Sequence, residues 1–226
     1  VHADLLVLGW ENDQSAIVCT EVNRRLAEYH IGGIFVFFFI NITNWGLSSW
    51  MPTYLMQVLG INLKSVGLIS AIPSLFMALG MVISGRIINK FGSYAKYGVI
   101  VGIFAMGVFL YLMTLATSIS QVIIYQCITF IFTSFIMSFI FTLPHRVMEQ
   151  KVVGTAFGII NFGGQAAGIF SPMIMGALIA SSGGSYKSAF LFLTICCLIA
   201  GIIAFLLPSS KNSPKVTEQP TIKTVG

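Results

Sequence analysis

Charge is scarce in this chain. Asp, Glu, Lys and Arg make up 8% of its 226 residues, where an ordinary soluble domain carries about 25%. A domain folded in water covers itself with charged side chains, so a soluble globular fold is excluded. Acid is scarcest of all, and five of the seven acidic residues (Asp4, Glu11, Asp13, Glu21, Glu28) precede His30. No apolar stretch holds a carboxylate that could act as an acid or base. The four cysteines, Cys19, Cys127, Cys196 and Cys197, have no metal-ligand spacing, and three of them lie in apolar stretches as small packing residues. The histidines His2, His30 and His145 are equally scattered. Neither a metal, nor a cofactor, nor an enzyme activity is expected. The formal net charge of +5 invites a nucleic-acid reading, but the basic residues form no stripe and no aromatics interleave them, so nucleic acid is not an expected partner.

What the chain has is hydrophobicity: 56% of residues are hydrophobic and the mean hydropathy is +0.90. Lipid must be its main solvent. Stretches of about 20 apolar residues read as membrane spans. Six occur, at about Ile31–Val58, Ser65–Ile88, Tyr97–Thr117, Ser120–Leu143, Val153–Ala180 and Ser188–Leu207. Residues 1–30 read as a cytoplasmic linker or truncated upstream region, residues 31–207 as a six-helix transmembrane transporter domain, and residues 208–226 as a disordered cytoplasmic tail. The start at Val1, without an initiator Met, suggests a fragment.

An even number of spans puts both ends on one side. Ten of the twelve basic residues fall on that side, and only Lys64 and Lys187 on the other. By the positive-inside rule both termini are cytoplasmic, in a plasma membrane or, in a bacterium, the inner membrane.

The spans differ in polarity. The first carries Asn41, Asn44 and Ser48, the fourth Gln126 and Thr129, the fifth Asn161 and Gln165, while the third and sixth are almost wholly apolar. Amides are costly in hydrocarbon, so the polar helices should face protein or water and the third and sixth lipid. Each triplet of spans runs from polar to oily, which suggests an internal repeat of three plus three helices. Gly85, Gly92 and Lys96 recur as Gly176, Gly183 and Lys187, a weak echo of the same repeat. The expected fold is therefore an all-α membrane protein, a 3+3 inverted-repeat unit of six transmembrane helices.

At 100° per residue, Asn41, Asn44, Trp45, Ser48 and Pro52 share one face of the first span. Their amides, hydroxyl and indole can bond and stack on a small polar solute; the alternative is that they only join helices. Asn161, Gly164, Gln165, Gly168 and Pro172 share a face of the fifth span, and Gln126 and Thr129 a side of the fourth. Candidate solute contacts are thus Asn41, Asn44, Trp45, Ser48, Gln126, Thr129, Asn161 and Gln165. No Asp, Glu, Lys or Arg lies within a span, so the groups of a proton-driven machine would lie in a part not present here.

The segment Gly85-Arg86-Ile87-Ile88-Asn89-Lys90-Phe91-Gly92 resembles the G-x-x-x-D-R-x-G signature of the major facilitator superfamily, between the second and third helix of a half. Gly85 and Gly92 match, Lys90 replaces Arg, and Asn89 replaces Asp and loses its charge. The resemblance implies a cytoplasmic latch formed by Gly85, Asn89, Lys90 and Gly92. It covers about Ile31–Leu207, as the C-terminal six helices of a twelve-helix fold, and so implies a missing N-terminal half. Trp50-Met51-Pro52-Thr53-Tyr54-Leu55 resembles the W-L-P-T-Y-L of the anion:cation symporters, the sialin, hexuronate and galactonate group. The run from Val153 to Gly158 leading to Asn161, Gly168 and Pro172 is similar to that group's eleventh helix, where an Asn at the place of Asn161 helps bind the sugar acid. The resemblance implies alternating-access transport of a small organic anion with protons as coupling ion. An efflux carrier for neutral or amphipathic compounds, or a non-transporting scaffold or inactive half-transporter, are the alternatives.

Overall fold

The computed structural model describes residues 31–91, 95–147 and 150–207. Among these residues there are six long helices: α1 (Ile31–Gln57), α2 (Leu63–Phe91), α3 (Ala95–Leu115), α4 (Ile119–Val147), α5 (Gln150–Ser181) and α6 (Lys187–Leu206). All are long and apolar enough to cross a membrane. The linker at residues 1–30, Gly92 and the tail at residues 208–226 lie outside the described residues.

Local chemistry sets the helix ends. The Asn62 side chain accepts the Ser65 N–H at 2.9 Å and so caps the start of α2. Ser118 and Gln121 cap α4 reciprocally: Ser118 Oγ accepts the Gln121 N–H, and Gln121 Oε1 accepts the Ser118 N–H, both at 3.3 Å. At the end of α5 the Gly184 N–H reaches the Ile179 carbonyl at 2.9 Å and the Gly183 N–H that of Ala180 at 3.3 Å. This closing turn needs the left-handed residue that Gly183 supplies at φ +64. At the other end of the bundle the Lys96 ammonium, buried at the start of α3, donates to the Leu207 carbonyl just past α6.

Three expected boundaries are corrected. The polar stretch after Ile88 is not a loop: α2 runs on to Phe91 and takes in Asn89 and Lys90, because nothing between Gly85 and Gly92 breaks a helix. Likewise α4 continues past Leu143 and Pro144 to Val147, and α5 begins already at Gln150.

The helix pairing has an internal symmetry. α2 packs on α4, and α3 on both α4 and α6. α1 packs on α5, where the Ser171 hydroxyl donates to the Ile42 carbonyl at 2.6 Å. It also packs on α6, where Thr43 Oγ1 lies 3.3 Å from Cys197 Sγ. Exchanging α1 with α4, α2 with α5 and α3 with α6 leaves this pattern unchanged. Three helices per repeat make α4 enter from the membrane side opposite to α1, so the repeats are inverted. The α3–α6 pair maps onto itself and lies at the centre of this exchange. The core gathers around it, with Ile103, Met106 and Leu110 of α3, Leu193 and Ala200 of α6, and Leu47 and Met51 of α1 all fully buried. The glycine echo does not share environments: a Cβ on Gly85 would meet nothing, whereas one on Gly176 would stand 3.0 Å from the Trp50 ring.

Candidate functional site

The seam between α1 and α5 is built on glycine. A Cβ placed on Gly164 would stand 2.1 Å from the Phe37 ring, one on Gly163 2.8 Å from Ile34, and one on Gly168 3.3 Å from the Trp45 indole. Partner numbers rise together along both helices, so α1 and α5 run parallel, backbone close to backbone. Trp50 Nε1 donates to the Pro172 carbonyl at 3.1 Å and closes the C-terminal end of the seam. Beyond it, Tyr54, Tyr186 and Phe190 stack edge to face, and the Tyr186 hydroxyl donates to Gln57 Oε1 at 3.0 Å. Burial pushes the Tyr186 phenol above its ordinary pKa, which favours the neutral donor.

One flank of this seam is polar and uncovered. Trp45 is 37% exposed, Ser48, Ser49 and Gln165 are exposed, and Asn44 and Asn161 are half-buried. Gln165 Nε2 lies 3.5 Å from Asn161 Oδ1, one turn away on α5. The Asn44 Oδ1 atom is itself buried and has no hydrogen-bond partner among the described residues. All these groups sit in the middle of their helices, at the depth of the hydrocarbon, where an unpaired polar group costs several kcal/mol. This flank therefore faces water or protein. α3 and α6 expose a different chemistry: the exposed residues of α3 include Val101, Phe104 and Val108, and those of α6 include Leu191, Ile195 and Ile202, while α5 also exposes Phe162, Ile169 and Met173 away from its amides. The apolar surfaces of α3 and α6 suit lipid, in line with the polarity contrast read from the sequence.

The predicted solute contacts divide into two groups. Asn44, Trp45, Ser48, Asn161 and Gln165 come together along the polar flank. Asn41, Gln126 and Thr129 do not join them. Asn41 is 3% exposed, sits against Gly164 and donates its amide to the Phe37 carbonyl at 2.9 Å. Thr129 is fully buried and its hydroxyl donates to the Tyr125 carbonyl at 2.8 Å. Gln126 is buried as well, with its Oε1 unpartnered among the described residues. Helical spacing puts Gln126 and Thr129 on one side of α4, but that side turns into the bundle. Ser171, whose hydroxyl ties α5 to α1, has no signal in the sequence beyond its place before Pro172.

Of the latch residues, Gly85 is half-buried on α2, while Asn89 and Lys90 are exposed on its last turn. The space beside Gly85 is open, so nothing in the described bundle requires glycine there. α2 and α5 are also the two least covered helices.

Comparison with known proteins fits this geometry. The probable L-galactonate transporter of Escherichia coli K12 is 28% identical over 185 residues, covering 78% of this chain and 40% of that protein. The probable sulfoacetate transporter of Cupriavidus necator is 31% identical over 164 residues, covering 70% of this chain and 38% of that protein. The chain thus spans about two fifths of the length of these relatives. Among solved structures, the inward-open xylose transporter of E. coli superposes with a TM-score of 0.56 at 16% identity, over 83% of this chain and 48% of that one. The family model of the Major Facilitator Superfamily matches residues 24–225, and the chain, a six-helix bundle spanning about half of that solved transporter, belongs to this superfamily.

Proposed function

We propose that this chain is the C-terminal half of a secondary carrier that moves a small organic anion, a sugar acid, by alternating access coupled to protons. The observation that carries the reading is the polar flank of α1 and α5 at hydrocarbon depth, in contrast to the apolar exposed residues of α3 and α6. Relatives named for galactonate and sulfoacetate support an organic anion. A partner half of six helices completes the cavity, covers α2 and α5, and brings the titrating carboxylates and the cation that meets the substrate acid. Asn44, Trp45, Ser48, Asn161 and Gln165 contact the solute. Asn41, Gln126 and Thr129 stand behind them and fix the helices that carry them. Gly85, Asn89, Lys90 and Gly92 latch the cytoplasmic side, with both termini in the cytoplasm and the protein in the plasma membrane.

The test is uptake by the full-length carrier in proteoliposomes. A sugar acid such as galactonate should accumulate when the interior is made alkaline, and uptake should collapse with a protonophore. Uptake indifferent to the proton gradient would overturn the coupling. A carrier that neither binds nor moves any sugar acid would overturn the substrate class.

A further inference from the structure

Trp45 is held by one face and leaves the other open. A Cβ built on Gly168 would stand 3.3 Å from each of Cδ2, Cε2 and Nε1 of the Trp45 indole. These are three consecutive atoms of the five-membered ring, and a point equidistant from three atoms of such a ring lies on the axis through its centre. The glycine therefore points a Cα hydrogen at the face of the indole, and the ring lies flat against α5. The exposed 37% of Trp45 then belongs to its outer face and rim, on the flank that also carries Ser48 and Gln165.

Acceptors border this platform on both helices. Pro52 has no N–H to give the Ser48 carbonyl, and Pro172 none for that of Gly168, so each backbone oxygen loses its usual helical partner. Asn44 Oδ1 also lacks one among the described residues. An aromatic face edged with acceptors and amides matches a solute with one apolar face and a hydroxylated rim. The π cloud is negative over the face, so it attracts C–H groups polarised by neighbouring oxygens.

We infer that Trp45 selects a sugar acid in its ring form, a pyranose carboxylate, over the open-chain acid of the same carbon skeleton. Only the ring presents several C–H groups on one flat side, while an open chain exposes hydroxyls on every side. This inference rests on the proposed transport of a sugar acid and goes further by naming the form of the substrate and the residue that distinguishes it.

The experiment measures equilibrium binding of galacturonate, which is cyclic in water, and galactonate, which is open-chain, to the full-length carrier. Trp45→Leu keeps an apolar side chain and removes the aromatic face; it should weaken galacturonate binding about two- to tenfold, the range of one aromatic contact, and leave galactonate within twofold. Trp45→Phe should restore most of the loss. Gly168→Ala pushes the indole outward and should cause a smaller loss in the same direction. A thermal melt of each variant shows that it is folded, and Trp45→Phe and Gly168→Ala carry the comparison if Trp45→Leu is not. Equal losses for both acids, or none for either, overturn the inference while the transport reading stands. If the wild-type carrier binds neither acid, both fall.

Discussion

The indole of Trp50 donates to the Pro172 carbonyl across 122 residues of sequence, at 3.1 Å. Its ring also lies 3.0 Å from where a Cβ on Gly176 would stand. One side chain therefore fastens the C-terminal third of α1 to α5, by a hydrogen bond and by shape.

Trp50→Phe keeps the ring and removes the donor, so it should lower stability by about 0.5–1.5 kcal/mol, the worth of one neutral hydrogen bond. Trp50→Ala also removes the packing and should cost about 3–5 kcal/mol. Thermal melts of the full-length protein in detergent check both. A Trp50→Phe variant that melts like the wild type would mean that the bond contributes nothing.

Glycines on the seam differ sharply from glycines elsewhere. Gly164→Ala would drive a Cβ into the Phe37 ring, and overpacking of this kind costs about 1–3 kcal/mol. Gly107→Ala would meet only Cys197 Cβ, at an ordinary 3.6 Å, and should gain up to about 1 kcal/mol of helix propensity. Melting temperatures should move in opposite directions. Equal shifts would contradict the close α1–α5 contact.

Orientation is open to thiol labelling. Cys127, Cys196 and Cys197 are buried and should stay silent in the folded protein, so replacing Cys19 with Ser gives a usable background. A cysteine at Lys187 should react with an impermeant maleimide in intact cells, and one at Lys90 only after permeabilisation. The reverse pattern would invert the topology.

Gly85→Leu should leave the melting temperature near that of the wild type, because the added side chain enters open space within this bundle. Uptake normalised to membrane abundance should nevertheless fall well below that of Gly107→Leu, if a second half closes on Gly85 during transport. Equal uptake by the two variants would remove the support for a latch at this position.

Much of the architecture was legible because hydropathy is a one-dimensional property. Six apolar stretches specify six spans without knowledge of any contact. The facing of each helix was less legible. Gln126 and Thr129 share a side with the spacing of a solute-lining stripe, yet that side is core. Threonine can lie there because its hydroxyl bonds a carbonyl of its own helix, so a polar stripe need not mark a surface. Asn41 is silent for the same reason, its amide satisfied four residues back at Phe37. The seam itself joins partners as far apart as Ser171 and Ile42, 129 residues distant, and no local pattern carries that. Trp45 and Gln165 are exposed on the α1–α5 flank, and an indole and an amide at mid-span have few inexpensive places to go.

The placement of charge along the described helices has an electrical consequence. Lys64, Arg86, Lys90, Lys96 and Lys187 all lie within two turns of a helix end, and no Asp or Glu occurs in the described residues. Moving one elementary charge through a potential of 100 mV takes about 2.3 kcal/mol. A tilt of this bundle carries no fixed charge across the membrane's centre, so the resting voltage does almost no work on it. Any dependence of turnover on membrane potential must then arise from the travelling anion, its coupling ion or residues beyond these six helices. Clamping the voltage while varying the solute's charge would read those contributions with this bundle as a frame that moves no charge of its own.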